Sequence, residues 1–337
     1  MTEKSWAQLS IDRFFENRKS PSQAECYRLA RSISNASVVR PVDVPGSLSY
    51  TVIGTGRPNQ GQDLIVSFRE KNSVIDSATI ALARSIHGCL VPEATYHGKI
   101  CDLHIYTMSR LQGISSLEAL STKAELTPEA EASHTCYVKH LARYFARCWL
   151  MPQPTNSEQL VEHRSGVNRR LEKLRKISPP IVSDKTINEL ECSFPVLFSH
   201  EYPQVLTHND LSKTNILVND ESLKITGLID WSLASVLPFG LELFSLSLMT
   251  GYMGIDGWHS YTCRDKLHNA FWKEFCFACA IDYDHARWKD VYNAAQSAAR
   301  LGAVLHYAFE RNADGSPSEE VATSQWMWRF LPVLLEL

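Results

Sequence analysis

The stretch 205–230, VLTHNDLSKTNILVNDESLKITGLID, holds residues able to do chemistry at defined spacing. His208, Asp210, Asn215 and Asp230 sit around two apolar β-like segments, Ile216–Val218 and Lys224–Ile229, joined by a polar turn at Asn219–Ser222. Asp210 and Asn215 share a loop that runs straight into the first segment. A carboxylate there can take a proton from a hydroxyl, and an amide oxygen further along the loop can ligate Mg²⁺. Asp230, ending the second segment, can supply the hard anionic ligand that links Mg²⁺ to phosphates. The competing reading is an ordinary polar hairpin with two solvated acids. It needs all four spacings to coincide by chance.

The elements that must position these residues are legible from pattern. Ser22 and Glu25 form an S-x-x-E capping box after Pro21, opening a helix to about Ile33. Two β-rich stretches, Ser37–Val44 and Leu48–Ile53, flank Pro45-Gly46-Ser47, and a polar loop at Gly54–Gln62 leads to a third strand at Asp63–Glu70. A helix is expected from Ser73 to about His87, then short strands near Ala94–His97 and Asp102–Met108. That order predicts a small antiparallel sheet with one packed helix. After Gly113 the pattern turns helical. In Ser133–Leu150 the apolar positions Val138, Leu141, Phe145, Cys148 and Trp149 recur at helical spacing. A charged helix is expected at Asn168–Lys176, and helices dominate again from about Phe244.

H-N-D-L-x-x-x-N followed by I-D-W resembles the catalytic and metal-binding motifs of the aminoglycoside phosphotransferase and choline kinase families. The resemblance covers roughly residues 37–250 and implies an α+β, two-lobed protein-kinase-like fold. The small antiparallel-sheet N-lobe would span residues 1–110 and the larger helical C-lobe residues 111–337, with ATP between them. By this resemblance Asp210 would be the catalytic base, His208 a support of its loop, and Asn215 and Asp230 the Mg²⁺ ligands. ATP and Mg²⁺ would be the cofactors and a small-molecule hydroxyl the acceptor.

Upstream, the resemblance places Pro45-Gly46-Ser47-Leu48-Ser49 where a loop covers phosphates, with Gly46 and Ser47 offering backbone N–H groups. Family members usually end the third strand with a lysine that meets the phosphates and an acid on the next helix. Here the strand reads Val66-Ser67-Phe68-Arg69, and alternation puts Ser67, Arg69 and Lys71 on one face. Arg69 is the expected phosphate contact, Lys71 its substitute, and a surface arginine the plain alternative. Asp76 would be its acid partner, or would cap its own helix through Ser73-Val74-Ile75-Asp76. Met108–Gly113 is similar to the hinge that meets adenine, with Ser109 and Leu111 contributing main-chain groups. Pro238 and Glu242 are expected to be structural. Lys213 could reach a γ-phosphate, or be a solvated loop lysine.

Composition narrows the rest. A length of 337 residues suits two domains or one with two lobes, and the 34 basic and 37 acidic side chains give a net charge of −3. No basic excess marks a nucleic-acid partner, and no apolar run of about 18 residues marks a membrane span. Residues 1–20 lack the apolar core of a signal peptide, so a soluble cytoplasmic protein is expected, its oligomeric state open. Nine irregularly spaced cysteines read as reduced thiols. Cys276 and Cys279 have zinc half-site spacing, but no second pair completes it.

Trp231-Ser232 after Asp230, and the lack of A-P-E, argue against a protein acceptor. Residues 251–337 hold 15 of the 33 aromatic residues and a net charge of −3, from 11 acids and 8 bases. An acceptor pocket there would suit an amine-bearing or aromatic molecule, unless those rings are simply core. Two other functions fit the motifs: a catalytically silent nucleotide-binding scaffold, and a fold repurposed to a non-phosphoryl reaction.

Overall fold

A computed structural model describes residues 5–56, 63–283, 286–312 and 315–336. The chain forms two compact units: Met1–Gln112 with Gly227–Ser232, and Gly113–Thr226 with Leu233–Leu337. Part of the expected Gly54–Gln62 loop, residues 57–62, lies outside the described residues. Among the described residues, no helix is long and apolar enough to cross a membrane.

The first unit is built on five antiparallel strands: β1 (Val38–Pro41), β2 (Ser49–Thr55), β3 (Leu64–Arg69), β4 (Ala94–Ile100) and β5 (Leu103–Ser109). Their order in the sheet is β1-β2-β3-β5-β4. Register pairs Ser49 with Arg69 and Arg69 with His104, so Arg69 ends the central strand. Val66 and Phe68 point into a core shared with Ile11, Phe14, Cys26 and Ala30. Those four residues come from the helices Trp6–Glu16 and Gln23–Ser34. Ser67 and Arg69 take the opposite face and are buried as well. The sheet therefore carries apolar cover on one side and a buried polar row on the other.

The expected capping box is present. Ser22 Oγ accepts from Glu25 N (3.3 Å), and Glu25 Oε2 accepts from Ser22 N (2.7 Å). Ser22→Ala should cost about 1 kcal/mol in denaturant unfolding, the ordinary loss of an N-cap. The helix at Trp6–Glu16, absent from the sequence reading, starts where Ser5 accepts from Gln8 N. The helix expected from Ser73 begins later, at Ser77, after a 3-10 turn at Lys71–Ser73 and an extended Val74.

The second unit has a helical core. The helix Pro128–Leu150 starts earlier than its apolar pattern because Thr127 caps it and Pro128 occupies its first turn. It buries Val138, Leu141, Phe145 and Cys148, and the Phe145 ring lies 5.9 Å from Phe271 on the helix Arg264–Ala278. The charged stretch expected at Asn168–Lys176 is the end of a longer helix, Ser157–Arg175. Short strands frame the loop of interest: β6 (Ile114–Ser115), β7 (Gln204–Thr207), β8 (Ile216–Val218), β9 (Ile225–Leu228) and β10 (Ser235–Pro238). β7 pairs antiparallel with β10, and β6-β8-β9 is the order of a three-stranded sheet. Two hairpins, Gly251–Met253 with Trp258–Ser260 and Phe309–Arg311 with Pro317–Val321, interrupt the region expected to be helical.

Candidate active site

The loop between β7 and β8 is held by main-chain groups. Glu242, buried beneath it, accepts from His208 N at Oε2 (3.2 Å) and from Leu211 N at Oε1 (3.1 Å). A glutamate has two acceptor oxygens, and here each satisfies one buried backbone donor. Burial pushes its carboxyl up to about 8, against the pull of the backbone N–H groups and with a further push from the Asp210 charge. His208 is fully buried beside it. Asn209 adopts a left-handed backbone (φ 66°) and donates from Nδ2 to Leu233 O (3.2 Å) and Ser235 Oγ (2.9 Å). Asparagine tolerates that conformation better than most residues.

Asp210 and Asn215 come together inside this loop. Asn215 Nδ2 donates to Asp210 O (2.8 Å) and to Asp210 Oδ2 (2.9 Å). Asn215 N donates to Ser212 O (3.0 Å), and Ser212 N to Asp210 O (2.8 Å), closing tight turns around the pair. With the amide nitrogen committed to Asp210, the side-chain oxygen of Asn215 is the group's acceptor.

Lys213 differs from the solvated reading. Burial lowers its ammonium to about 8, and Nζ donates to Gly251 O (2.6 Å) over the Trp258 ring (5.9 Å). Its own carbonyl accepts from Ser115 Oγ, Ser116 Oγ and Leu117 N. The lysine fastens the loop at both of its ends, a role that loop position alone did not reveal.

In the first unit Arg69 is buried, with a side chain 8% exposed, so it is no surface arginine. Nε donates to Ser73 O (2.6 Å) and Nη2 to Asp230 Oδ1 (3.0 Å). Asp230 has left-handed backbone (φ 63°), and Oδ1 also accepts from Ser232 Oγ (2.9 Å). Leu48 O accepts from Glu70 N (3.2 Å) and Ser73 Oγ (3.0 Å), tying the Pro45–Ser49 loop to the turn that holds Arg69. Gly46 and Ser47 are exposed in that loop, and Lys71 lies off the strand and exposed. Asp76 resolves to helix capping. Its Oδ2 accepts from Thr79 N (2.9 Å) and Oγ1 (2.7 Å), which holds its carboxyl below the usual range. The partner of Arg69 is therefore Asp230 and not Asp76, because Asp76 is spent on the first turn of its helix. In the hinge stretch Ser109 N donates to Glu93 O (3.0 Å), Ser109 Oγ accepts from Glu93 N (2.9 Å), and Leu111 is half-buried.

Each unit offers an oxygen donor of the kind hard cations prefer: the second has the side-chain amide oxygen of Asn215, and the first the half-exposed carboxylate of Asp230 on a backbone turned by positive φ.

A cavity of about 420 Å³ opens in the second unit against the same loop, lined by Asn209, Ser235 and Glu242. Its other walls include Arg170, His306 and Arg311. Among the described residues, no tryptophan lines it. The C-terminal aromatics serve elsewhere: Trp272 and Trp288 are buried against each other (5.5 Å), lining a second cavity with Tyr283 and Tyr292 that reaches no residue of the Asp210 loop. Cys276 is buried on the helix Arg264–Ala278, and burial raises the thiols of both Cys276 and Cys279. Sequence reasoning missed the cavity's arginines, since a single arginine in a helix or hairpin carries no motif.

A structure of an ethanolamine kinase from Plasmodium vivax is similar at 11% identity, covering 100% of this chain and 95% of that one, with a TM-score of 0.50. A Ralstonia eutropha protein, provisionally named an aminoglycoside phosphotransferase, matches at 12% identity over 93% of this chain and 96% of its own, with a TM-score of 0.57. These likenesses are in fold, and the fold is the expected α+β, two-lobed, kinase-like one. No curated protein sequence matches the chain. The sequence pattern of the phosphotransferase enzyme family matches residues 67–263, more than half of the chain and all of the Asp210–Asp230 segment. The chain is a member of the phosphotransferase enzyme family, whose enzymes include small-molecule kinases.

Proposed function

We propose that the protein is a small-molecule kinase of the cytoplasm that moves the γ-phosphoryl group of Mg·ATP to an alcohol. The observation that carries this reading is the Asp210–Asn215 pair. One oxygen of Asp210 is fixed by the amide of Asn215, which orients the carboxylate to receive a hydroxyl proton. Asp210 is the base, and His208 supports its loop from a buried position. Asn215 and Asp230 are the Mg²⁺ ligands, and the ion would supply charge neutralisation for the phosphates. Arg69 holds phosphate oxygens, assisted by main-chain N–H groups at Gly46 and Ser47. Ser109 and Leu111 belong to the adenine-facing hinge, where the Leu111 backbone is the better donor because Ser109 N is already bonded to Glu93 O. Catalysis on this plan is positioning and electrostatic complementarity, without a covalent enzyme intermediate.

The silent-scaffold reading is weaker because Asp210, Asn215 and Asp230 are all present, and a silent homologue has no chemical need for all three. Arg69→Lys keeps the charge but cannot span Ser73 O and Asp230 together. It is expected to weaken ATP binding by about tenfold, the worth of one charge-assisted hydrogen bond, read as the ATP KM. An unchanged KM would remove Arg69 from the phosphate site. The function itself is tested by incubating the protein with Mg·ATP and a metabolite extract. A species heavier by one phosphate, absent with Asp210→Asn, supports the kinase. A product heavier by a nucleotide, or no product, contradicts it.

A further inference from the structure

The cavity beside the Asp210 loop has an unusual charge. Arg169, Arg170 and Arg311 line it, together with Glu162 at an exposed position and the buried Glu242. Arg169 is matched: Glu319 accepts from its Nε (3.1 Å) and from Lys173 Nζ (3.2 Å). One carboxylate therefore already serves two cations. Among the described residues, Arg170 and Arg311 have only neutral hydrogen-bond partners. Arg170 Nε donates to Ser318 O (3.2 Å), and Arg311 Nη1 to Gly315 O (2.9 Å). Arg311 Nη2 lies against the His306 ring, which burial and the guanidinium keep neutral, at about 3. Among the described residues, neither Arg170 nor Arg311 has a carboxylate within salt-bridge distance.

Guanidinium groups stay charged even when partly desolvated, and half-buried ones demand an anionic or strongly accepting partner. Glu242 does not supply the missing charge, since burial holds its carboxyl largely protonated near neutral pH. The Asp210 carboxylate lies close enough for its charge to act on Arg311, so the cationic wall and the catalytic loop share one field. Apolar residues, among them Phe198, Leu237 and Leu305, make up much of the remaining wall. The volume suits a metabolite rather than a polymer.

We propose that the phosphoryl acceptor is an organic anion: a hydroxyl-bearing molecule whose carboxylate or phosphate group is held by Arg170 and Arg311, with an apolar body along Phe198, Leu237 and Leu305. The proposal rests on the kinase reading above and names its acceptor class. The acceptor oxygen forms a bond to the γ-phosphorus while the bond from that phosphorus to the β–γ bridging oxygen breaks. The hydroxyl proton passes to Asp210, and a phosphate ester and ADP leave. An amine-bearing acceptor, the class suggested by the acidic, aromatic C-terminal third, would instead meet two guanidinium groups that have no carboxylate at salt-bridge distance among the described residues.

Four matched alcohols test this by calorimetric binding without nucleotide: para-hydroxymethyl benzoate, para-hydroxymethylphenyl phosphate, the methyl ester of the first, and para-aminomethylbenzyl alcohol. At least one anion is expected to bind about tenfold tighter than the ester and the amine, and the tighter of the two identifies the headgroup. Arg170→Gln and Arg311→Gln should each remove that preference, while Arg170→Lys and Arg311→Lys keep it at lower affinity. If the Gln variants do not fold, the Lys variants and the wild-type ranking carry the test. Tighter binding of the amine or ester, an anion preference that survives both Gln changes together, or no binding of either anion at millimolar concentration overturns the proposal. A protein that binds the anions yet phosphorylates nothing would sink the kinase reading and leave the anion site. One that phosphorylates only amines would do the reverse.

Discussion

Asp210→Asn is expected to lower turnover by about 10²–10⁴-fold, the range for loss of a general base. The substitution is nearly isosteric, and an asparagine carbonyl can still accept from Asn215 Nδ2, the bond that now ends on Asp210 Oδ2 at 2.9 Å. The loop should therefore keep its shape, held from below by Glu242 and at Lys213 by Ser115, Ser116 and Gly251. Mg·ATP affinity should stay close to wild type, because the proposed metal ligands are Asn215 and Asp230. Steady-state kinetics paired with nucleotide titration separates these effects. Loss of nucleotide binding together with the fold would remove Asp210 from the role of base.

The largest effect on stability is expected at Glu242. Glu242→Ala strands the backbone donors of His208 and Leu211 in a buried setting. At about 1–3 kcal/mol for each unsatisfied buried donor, the two together cost about 2–6 kcal/mol. Glu242→Gln is the finer probe. It keeps the volume but turns an NH₂ group toward one of the two N–H donors, so it should also destabilise.

The pH dependence distinguishes the Gln variant's effect from simple packing. The folded carboxyl sits at about 8 against an ordinary 4.5, so between those values the folded chain holds a proton that the unfolded chain has lost. The stability from this group is fully present below the unfolded value and is lost as pH rises through the folded one. The gap between wild type and Glu242→Gln should therefore shrink as pH rises from the acid to the alkaline side of that window. Urea midpoints across the range measure it, and a constant gap would show that Glu242 titrates normally.

What could be read from the residues divides along a physical line. Local devices were legible. The Ser22–Glu25 box, the β8–β9 hairpin and the alternation placing Val66 and Phe68 opposite Arg69 depend on neighbours a few positions away. The Asp210–Asn215 spacing was equally local, and the two side chains do meet. Arg69 shows where locality ends. Its residue type and strand position were readable, but its partner is far along the chain, and the nearby Asp76 had a stronger local use in capping its helix.

Lys213 illustrates the same limit from the other side. A lysine in a polar loop reads as solvated, and only the tertiary approach of Gly251 and Trp258 makes it a buried fastener. The aromatic enrichment of the last 87 residues invited a recognition role, yet Trp272 and Trp288 fill the core between helices. The cavity at the Asp210 loop is lined instead by residues such as Arg170 and Arg311, separated by more than a hundred positions. No pattern in either segment announces them. Hairpins at Gly251–Ser260 and Phe309–Val321 escaped for a related reason, since strands of this length offer too few alternations to read.

The most direct test of the central claim follows the label from ATP. The protein is incubated with Mg²⁺, a small-molecule extract and ATP labelled at either the γ- or the α-phosphorus, and the small-molecule fraction is separated from nucleotides. The account predicts that γ-label enters an acid-stable phosphate ester, that α-label stays in ADP, and that Asp210→Asn stops the transfer. Transfer of the α-label, or retention of both labels in intact ATP, would contradict it.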